Sequence, residues 1–197
     1  MNPRLRFKRE DGTDYPDWEE ITSDILFDNI SEKGREDKIV LTVIQGVGTV
    51  PRNKSGRNIL FETSSLKNYK FAKKNDFIIH LCSFEGGLEI ANSDGILSPA
   101  YRILRAKKEI SHKFFYNYFH TIKFISFVLA KAVEGIRDGR QINYNVFKKL
   151  KFPFPCLEEQ QKIGDFLSDF DEAISLAKQE LEKWKLLKKG LLQQMFT

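Results

Sequence analysis

The chain has 197 residues, a formal net charge of +5, 41% hydrophobic residues and 17 phenylalanines. That is enough apolar side chain for an ordinary core, which excludes general disorder. No run approaches the ~18 uninterrupted apolar residues of a membrane span, and MNPRLRFKRED has no apolar stretch of signal-peptide type. Cys82 and Cys156 match neither a disulfide framework nor a zinc pattern, so a reducing, cytoplasmic setting is expected.

In chain order, PRLRFKREDGTDYPDWEE reads as a polar arm broken by Gly12 and Pro16. WEEITSDILFDN is expected as one short helix, with Trp18, Ile21, Ile25 and Leu26 near helical spacing. From Lys38 the pattern turns to β: KIVLTVIQGVGTV is rich in Val, Ile and Thr, with a bend or turn at Gly46 and Gly48. PRNKSGRN follows as a basic loop. YKFAKKNDFIIHLCSF and GILSPAYRIL are further strands around the turn-rich EGGLEIANSDG. ISHKFFYNYFHTIKFISFVLAKAVEG is expected as a single helix, capped by Ser111 and stopped by Gly135, its aromatic face buried on the sheet. The loop GIRDGRQINYN then leads to a last strand, LKFPF.

From Glu158 to about Met195 there is no proline, which allows ~57 Å of helix. Ile163, Leu167, Phe170, Ile174, Ala177, Leu181 and Trp184 fall on one seam at alternating steps of four and three. Lys188 interrupts it, and Leu187, Leu191 and Met195 carry apolar character onward. This is a coiled-coil pattern; the alternative is a helix lying across its own domain. Residues 158–177 carry a net charge of −5 and residues 178–197 a net of +3. An antiparallel partner would therefore set acid against base. Residues 158–197 as a whole carry −2, so the first 157 residues hold a net of +7. A basic globular part of this kind suits a polyanion such as nucleic acid, though a solvated basic surface has the same composition.

Catalytic patterns are missing from the sequence. His80, His112 and His120 do not form a ligand cluster, and Gly46-Val47-Gly48 lacks the remaining residues of a dinucleotide loop or P-loop. Binding is the better class, and no cofactor or metal is expected on the chain itself.

The stretches PRLRF, LTVIQGVGTVPR, SFEGGLEIANSDGILSPAY, DGRQINYNVFKKLKFPFPCLEEQQKIGDFLSDFDEAI and LLKKGLLQQMF, in that order, resemble the specificity subunit of type I restriction-modification systems. The resemblance implies an α+β chain: a mixed α/β target-recognition domain over residues 1–157 and a long helix over 158–197, forming an antiparallel coiled coil with a partner. Members of that family usually carry two such units, read a bipartite site in double-stranded DNA, and recruit modification and restriction subunits. The modification subunit binds S-adenosylmethionine and methylates adenine. One unit is half of that pattern, and a homodimer reading an inverted repeat is the simplest completion. A protein that binds modification subunits without reading DNA is the rival.

On that resemblance, Arg52, Lys54, Arg57, Lys73, Lys74, Arg137 and Arg140 are the candidates for phosphate contacts. Gln45, Asn53, Ser83, Glu85 and Asn143 are the candidates for base edges. Phe84 is a candidate to stack or wedge, with core packing as the alternative. Dimerisation falls to Ile163, Leu167, Phe170, Ile174, Ala177, Leu181, Trp184 and Leu191.

Overall fold

The computed structural model describes residues 3–55, 63–80, 86–135 and 140–196, with residues 63–65 described in their backbone alone. The central element is an antiparallel four-stranded sheet in the order β2 (Phe27–Ile30), β9 (Tyr101–Ala106), β6 (Phe77–His80) and β7 (Glu89–Ile90). Because side chains alternate across a strand, Phe77 and Ile79 face one core and Ile78 the other. Both faces are covered, which explains why FIIH reads as an unbroken apolar run rather than an alternating one.

One face is covered by a phenylalanine cluster. Phe27, Phe77, Phe115, Phe119, Phe124, Phe147 and Phe152 are fully buried. Their rings meet at tilted and edge-to-face angles, with centroids 4.8 Å apart for Phe119–Phe124 and 5.2 Å for Phe77–Phe119. The other face is covered by the hairpin β3 (Leu41–Ile44) and β4 (Gly48–Pro51) and the pair β5 (Lys70–Ala72) and β8 (Gly95–Leu97).

Two expected helices are corrected. WEEITSDILFDN forms β1 (Glu19–Thr22), a single turn α1 (Ser23–Leu26), and β2. β1 pairs with β12 (Lys151–Phe154), setting Ile21 opposite Phe152, and β2 pairs with β9. Pairing partners more than seventy residues away override the local spacing, and Ile25 is left exposed. The aromatic segment divides in two. α2 (His112–Phe119) starts as expected at Ser111, whose Oγ accepts from Phe114 N–H. It ends at His120, and Thr121 Oγ1 accepts from Phe124 N–H to start a second stretch, a π-type turn (Phe124–Val128) running into a 3₁₀ turn (Leu129–Ala132). Gly87 lies against the end of α2 so closely that a Cβ there would meet Phe119 O at 2.1 Å. Gly135 has φ +85° and lies beyond the short strand β10 (Val133–Glu134), which pairs with β11 (Gln141–Ile142). The loop before the last strand contains one further turn, α3 (Tyr144–Phe147).

The last element, α4 (Leu157–Met195), is a 39-residue helix. Its first turns lie on the domain, and three residues explain how. Glu159 is buried; its carboxylate accepts from Arg6 Nε at 3.0 Å, Arg6 Nη2 at 2.8 Å and Trp18 Nε1 at 2.9 Å. Gln160, also buried, accepts from Ser111 N–H through Oε1 at 3.0 Å and donates to Pro155 O at 2.8 Å. Gly164 sits where a Cβ would be 2.8 Å from Ser111 Oγ and 2.9 Å from Phe114 N, so only glycine lets α4 approach the start of α2 this closely. The junction FPFPCLEEQQKIG is thus a clamp of strand end, helix start and N-terminal arm. From Asp169 to Phe196 every residue but Gly190 is exposed. The helix leaves the domain rather than lying across it.

Candidate nucleic-acid interface

The hairpin β3–β4 turns at Gln45-Gly46-Val47, where glycines are needed: φ is +73° at Gly46 and +90° at Gly48. The tip is held from the side of β7. Gly46 N–H donates to Glu89 Oε1 at 2.7 Å, and Asn92 Nδ2 donates to Val47 O at 2.8 Å and Thr49 O at 3.1 Å. Glu89 is buried, and His120 Nε2 lies 3.1 Å from the same Oε1 while His120 Nδ1 lies 2.7 Å from Tyr116 O. Both ring nitrogens face acceptors, which suits the imidazolium form. Burial works against that charge, but the hydrogen bonds to Glu89 and Tyr116 O and the charges of Glu89 and Asp171 outweigh it, so the His120 pKa is raised. Burial, reinforced by Glu89, pushes the Tyr116 phenol up to about 12.

The tip overlooks a cleft of about 290 Å³ lined by Gln45, His80, Gly86, Glu89 and Tyr101, with Val43 and Ile78 below. Gly86 leaves room for Gln45, whose side-chain amide would otherwise lie 2.3 Å from a Cβ. The His80 and Tyr101 rings meet edge to face at 5.0 Å. Lys70 Nζ donates to Tyr101 O at 2.7 Å and Pro99 O at 2.9 Å, bringing an ammonium to the start of β9. Its pKa is lowered by burial first and then by the positive charges of Arg102 and Lys33. Amide, imidazole, phenol and carboxylate thus share one opening beside positive charge. These are the groups that read base edges and bind phosphate.

The sequence-based candidates do not form one cluster. Gln45 stands at the hairpin tip, while Arg52, Asn53 and Lys54 form a 3₁₀ turn after β4, at the hairpin's base, ~13 Å away along a four-residue strand. Arg52 lies over the Tyr69 ring at 5.5 Å and donates to Tyr69 Oη at 3.2 Å; Asn53 and Lys54 are exposed. Lys73 and Lys74 occupy the β5–β6 turn, at the end of β6 opposite His80, and their backbone N–H groups donate to Asp76 and Asp94. Arg140 is exposed just before β11. Asn143 caps α3: its Oδ1 accepts from Asn145 and Val146 N–H, and Nδ2 donates to Glu134 at 2.6 Å. Arg57, Ser83, Phe84, Glu85 and Arg137 lie outside the described residues. The cleft residues that sequence reasoning passed over are His80 and Tyr101, with Lys70 beside them; Arg102, opposite Ile79, lies on the other face of the sheet, where it stacks on Tyr144 at 4.4 Å. The local signals of the first three are a strand end and two strand starts; the sheet register joins His80 to Tyr101, and a hydrogen bond to Tyr101 O joins Lys70 to the pair.

On α4, Ile163 packs against the domain's own core and Leu167 lines a groove at the helix root. Phe170, Ile174, Leu181, Trp184 and Leu191 are 48–61% exposed, and Ala177 is exposed with them. The seam therefore starts on the domain and continues into solvent.

Residues 25–185 match the family model described as the type I restriction modification DNA specificity domain. The type I restriction enzyme MjaVIII specificity subunit of Methanocaldococcus jannaschii is 28% identical over 124 residues, covering 63% of this chain and 28% of that protein. Among solved structures, the S subunit of the type I system from M. genitalium aligns with a TM-score of 0.57 and 23% identity over 87% of this chain and 42% of that one. The HsdS subunit from Thermoanaerobacter tengcongensis aligns at 0.55 and 17% over the same shares. The chain thus spans less than half the length of these relatives, and the structural likeness is one of fold. On the family match, which covers most of its length, this chain belongs to the type I restriction modification DNA specificity domain family.

Proposed function

We propose that the chain is a non-catalytic, DNA-reading specificity subunit that works as a homodimer, with α4 as the spacer between two copies of the domain. One observation carries this reading: α4 leaves the domain with an apolar seam exposed from Phe170 to Leu191. A solvent-exposed seam of that length is suited to an antiparallel partner helix, and the acidic root and lysine-rich tip favour that orientation. A two-fold dimer presents two identical reading surfaces, so the site is an inverted repeat in double-stranded DNA with an unread spacer. The cleft around Gln45, His80 and Tyr101 reads bases; Arg52, Lys54, Lys73, Lys74 and Arg140, with Arg57 and Arg137, contact phosphates. Methylation and cleavage belong to recruited modification and restriction subunits, the former bringing S-adenosylmethionine.

Selection from a pool of random duplexes, with and without a modification subunit, tests the proposal. Enrichment of a split inverted repeat supports it. Binding to a modification subunit with no enrichment of any sequence refutes DNA reading and leaves an interaction protein.

A further inference from the structure

At the root of α4 lies an apolar groove of about 380 Å³, walled by Trp18, Phe114, Tyr118 and Thr121 of the domain and by Ile163 and Leu167 of the helix. Ile163 and Leu167 are also the first two positions of the seam. At the far end of α4, Leu191, Leu192, Met195 and Phe196 stand 48%, 47%, 73% and 82% exposed. The groove and this tip are separated by ~42 Å along the helix. They lie in the acidic and basic halves respectively, which carry net charges of −5 and +3.

Resting on the homodimer reading above, we propose that the groove receives the tip of α4 from a second copy, and that this contact sets the register of the pair. Ile163 meets the partner's Met195, Leu167 the partner's Leu191, Phe170 the partner's Lys188, Ile174 the partner's Trp184 and Ala177 the partner's Leu181. In this register each apolar seam position but Phe170 meets an apolar seam position. The one basic interruption, Lys188, falls on an aromatic face, where an ammonium is favourable. A shift of one heptad in one direction leaves the groove uncovered. In the other direction it leaves Leu191 and Met195 without partners and sets Lys188 against Ile163. The groove therefore fixes the distance between the two domains, and hence the spacer between half-sites.

The test uses the full chain. Equal amounts of Leu167→Cys and Leu191→Cys chains, mixed and mildly oxidised, should yield a disulfide between positions 167 and 191 on peptide mapping, and Leu167→Cys alone should not link to itself. In Trp184→Phe, which leaves Trp18 as the sole tryptophan, dilution through dimer dissociation should shift the emission to the red as the groove is uncovered. Dimers in sedimentation whose Leu167→Cys chains link to each other, or whose Trp18 emission ignores dilution, overturn the groove and its register. Monomers at micromolar concentration overturn the homodimer reading itself, so the two failures are told apart.

Discussion

Arg6 and Glu159, 153 residues apart, form a forked ion pair in which both carboxylate oxygens are taken, Oε1 by Nε at 3.0 Å and Oε2 by Nη2 at 2.8 Å. The Glu159 side chain is fully buried and that of Arg6 is 17% exposed. Removing one partner of such a pair leaves an uncompensated buried charge, costing about 3 kcal/mol. Arg6→Ala should lower the thermal midpoint by about 6–12 °C in a chain of this size. Arg6→Lys keeps the charge but not the fork and should fall between. Calorimetry of the three proteins decides this, and an unchanged midpoint in Arg6→Ala would show that the pair contributes nothing.

Gly164 and Gly190 form a matched test within α4. An alanine at 164 must push against Ser111 Oγ, Lys113 Cβ and Phe114 N, all within 2.9 Å of the added Cβ, whereas nothing lies within 4 Å at 190. Alanine is the better helix former by about 1 kcal/mol, and forced overpacking costs about 1–3 kcal/mol. Gly190→Ala should therefore raise helix stability by up to about 1 kcal/mol. Gly164→Ala should instead destabilise the protein, by up to about 2 kcal/mol once the propensity gain is subtracted from the overpacking cost, read from denaturant midpoints.

His120 gives the hairpin tip a pH dependence. Its folded pKa is raised above the ordinary value of 6.5. The stabilisation is therefore fully present below pH 6.5 and is lost as pH rises through the folded value. His112, lowered by burial, acts in the other window: its protonation favours the unfolded chain as pH falls below 6.5. Between pH 6.5 and 8.5 the wild type should lose more stability than His120→Gln. Parallel profiles would remove the His120–Glu89 contact as the cause.

The exposed seam predicts the assembly. Phe170→Glu with Ile174→Glu places two charges at half-exposed positions that touch nothing in the domain core, so the fold should persist while sedimentation shows monomers. Dimers that survive both substitutions would place the contact elsewhere.

DNA affinity should fall steeply with salt, because phosphate contacts release counterions. Arg140→Ala should weaken binding to all sequences alike and reduce the log–log salt slope by about 1, whereas Gln45→Ala should cost about 1–3 kcal/mol on the selected site only. Titrations at several salt concentrations on selected and scrambled duplexes separate the two effects.

Much of the architecture was legible locally. The β3–β4 turn follows from Gly46 and Gly48 between β-branched runs, the start of α2 from Ser111, and the whole of α4 from a proline-free stretch with an apolar seam interrupted at Lys188. These are decisions made within a few residues of chain. The arrangement of β1 and β2, the end of α2 and the cleft depended on partners far away: Ile21 on Phe152, Phe119 on Gly87, His80 on Tyr101. The junction shows both limits. From sequence, Glu158 and Glu159 are acidic residues at the positive end of a helix dipole. In the fold Glu158 keeps to the rim, near Arg9 and Tyr15, while Glu159 is buried against Arg6 and Trp18. The helical period sets which residues share a face, but which face meets the domain is decided only when the N-terminal arm, 150 residues earlier, closes over it. The sequence by itself therefore determined that a long helix with an apolar seam follows a mixed α/β domain. Tertiary structure decided that the seam begins on that domain and is exposed beyond it, because burial is set by contacts between segments that no local window contains.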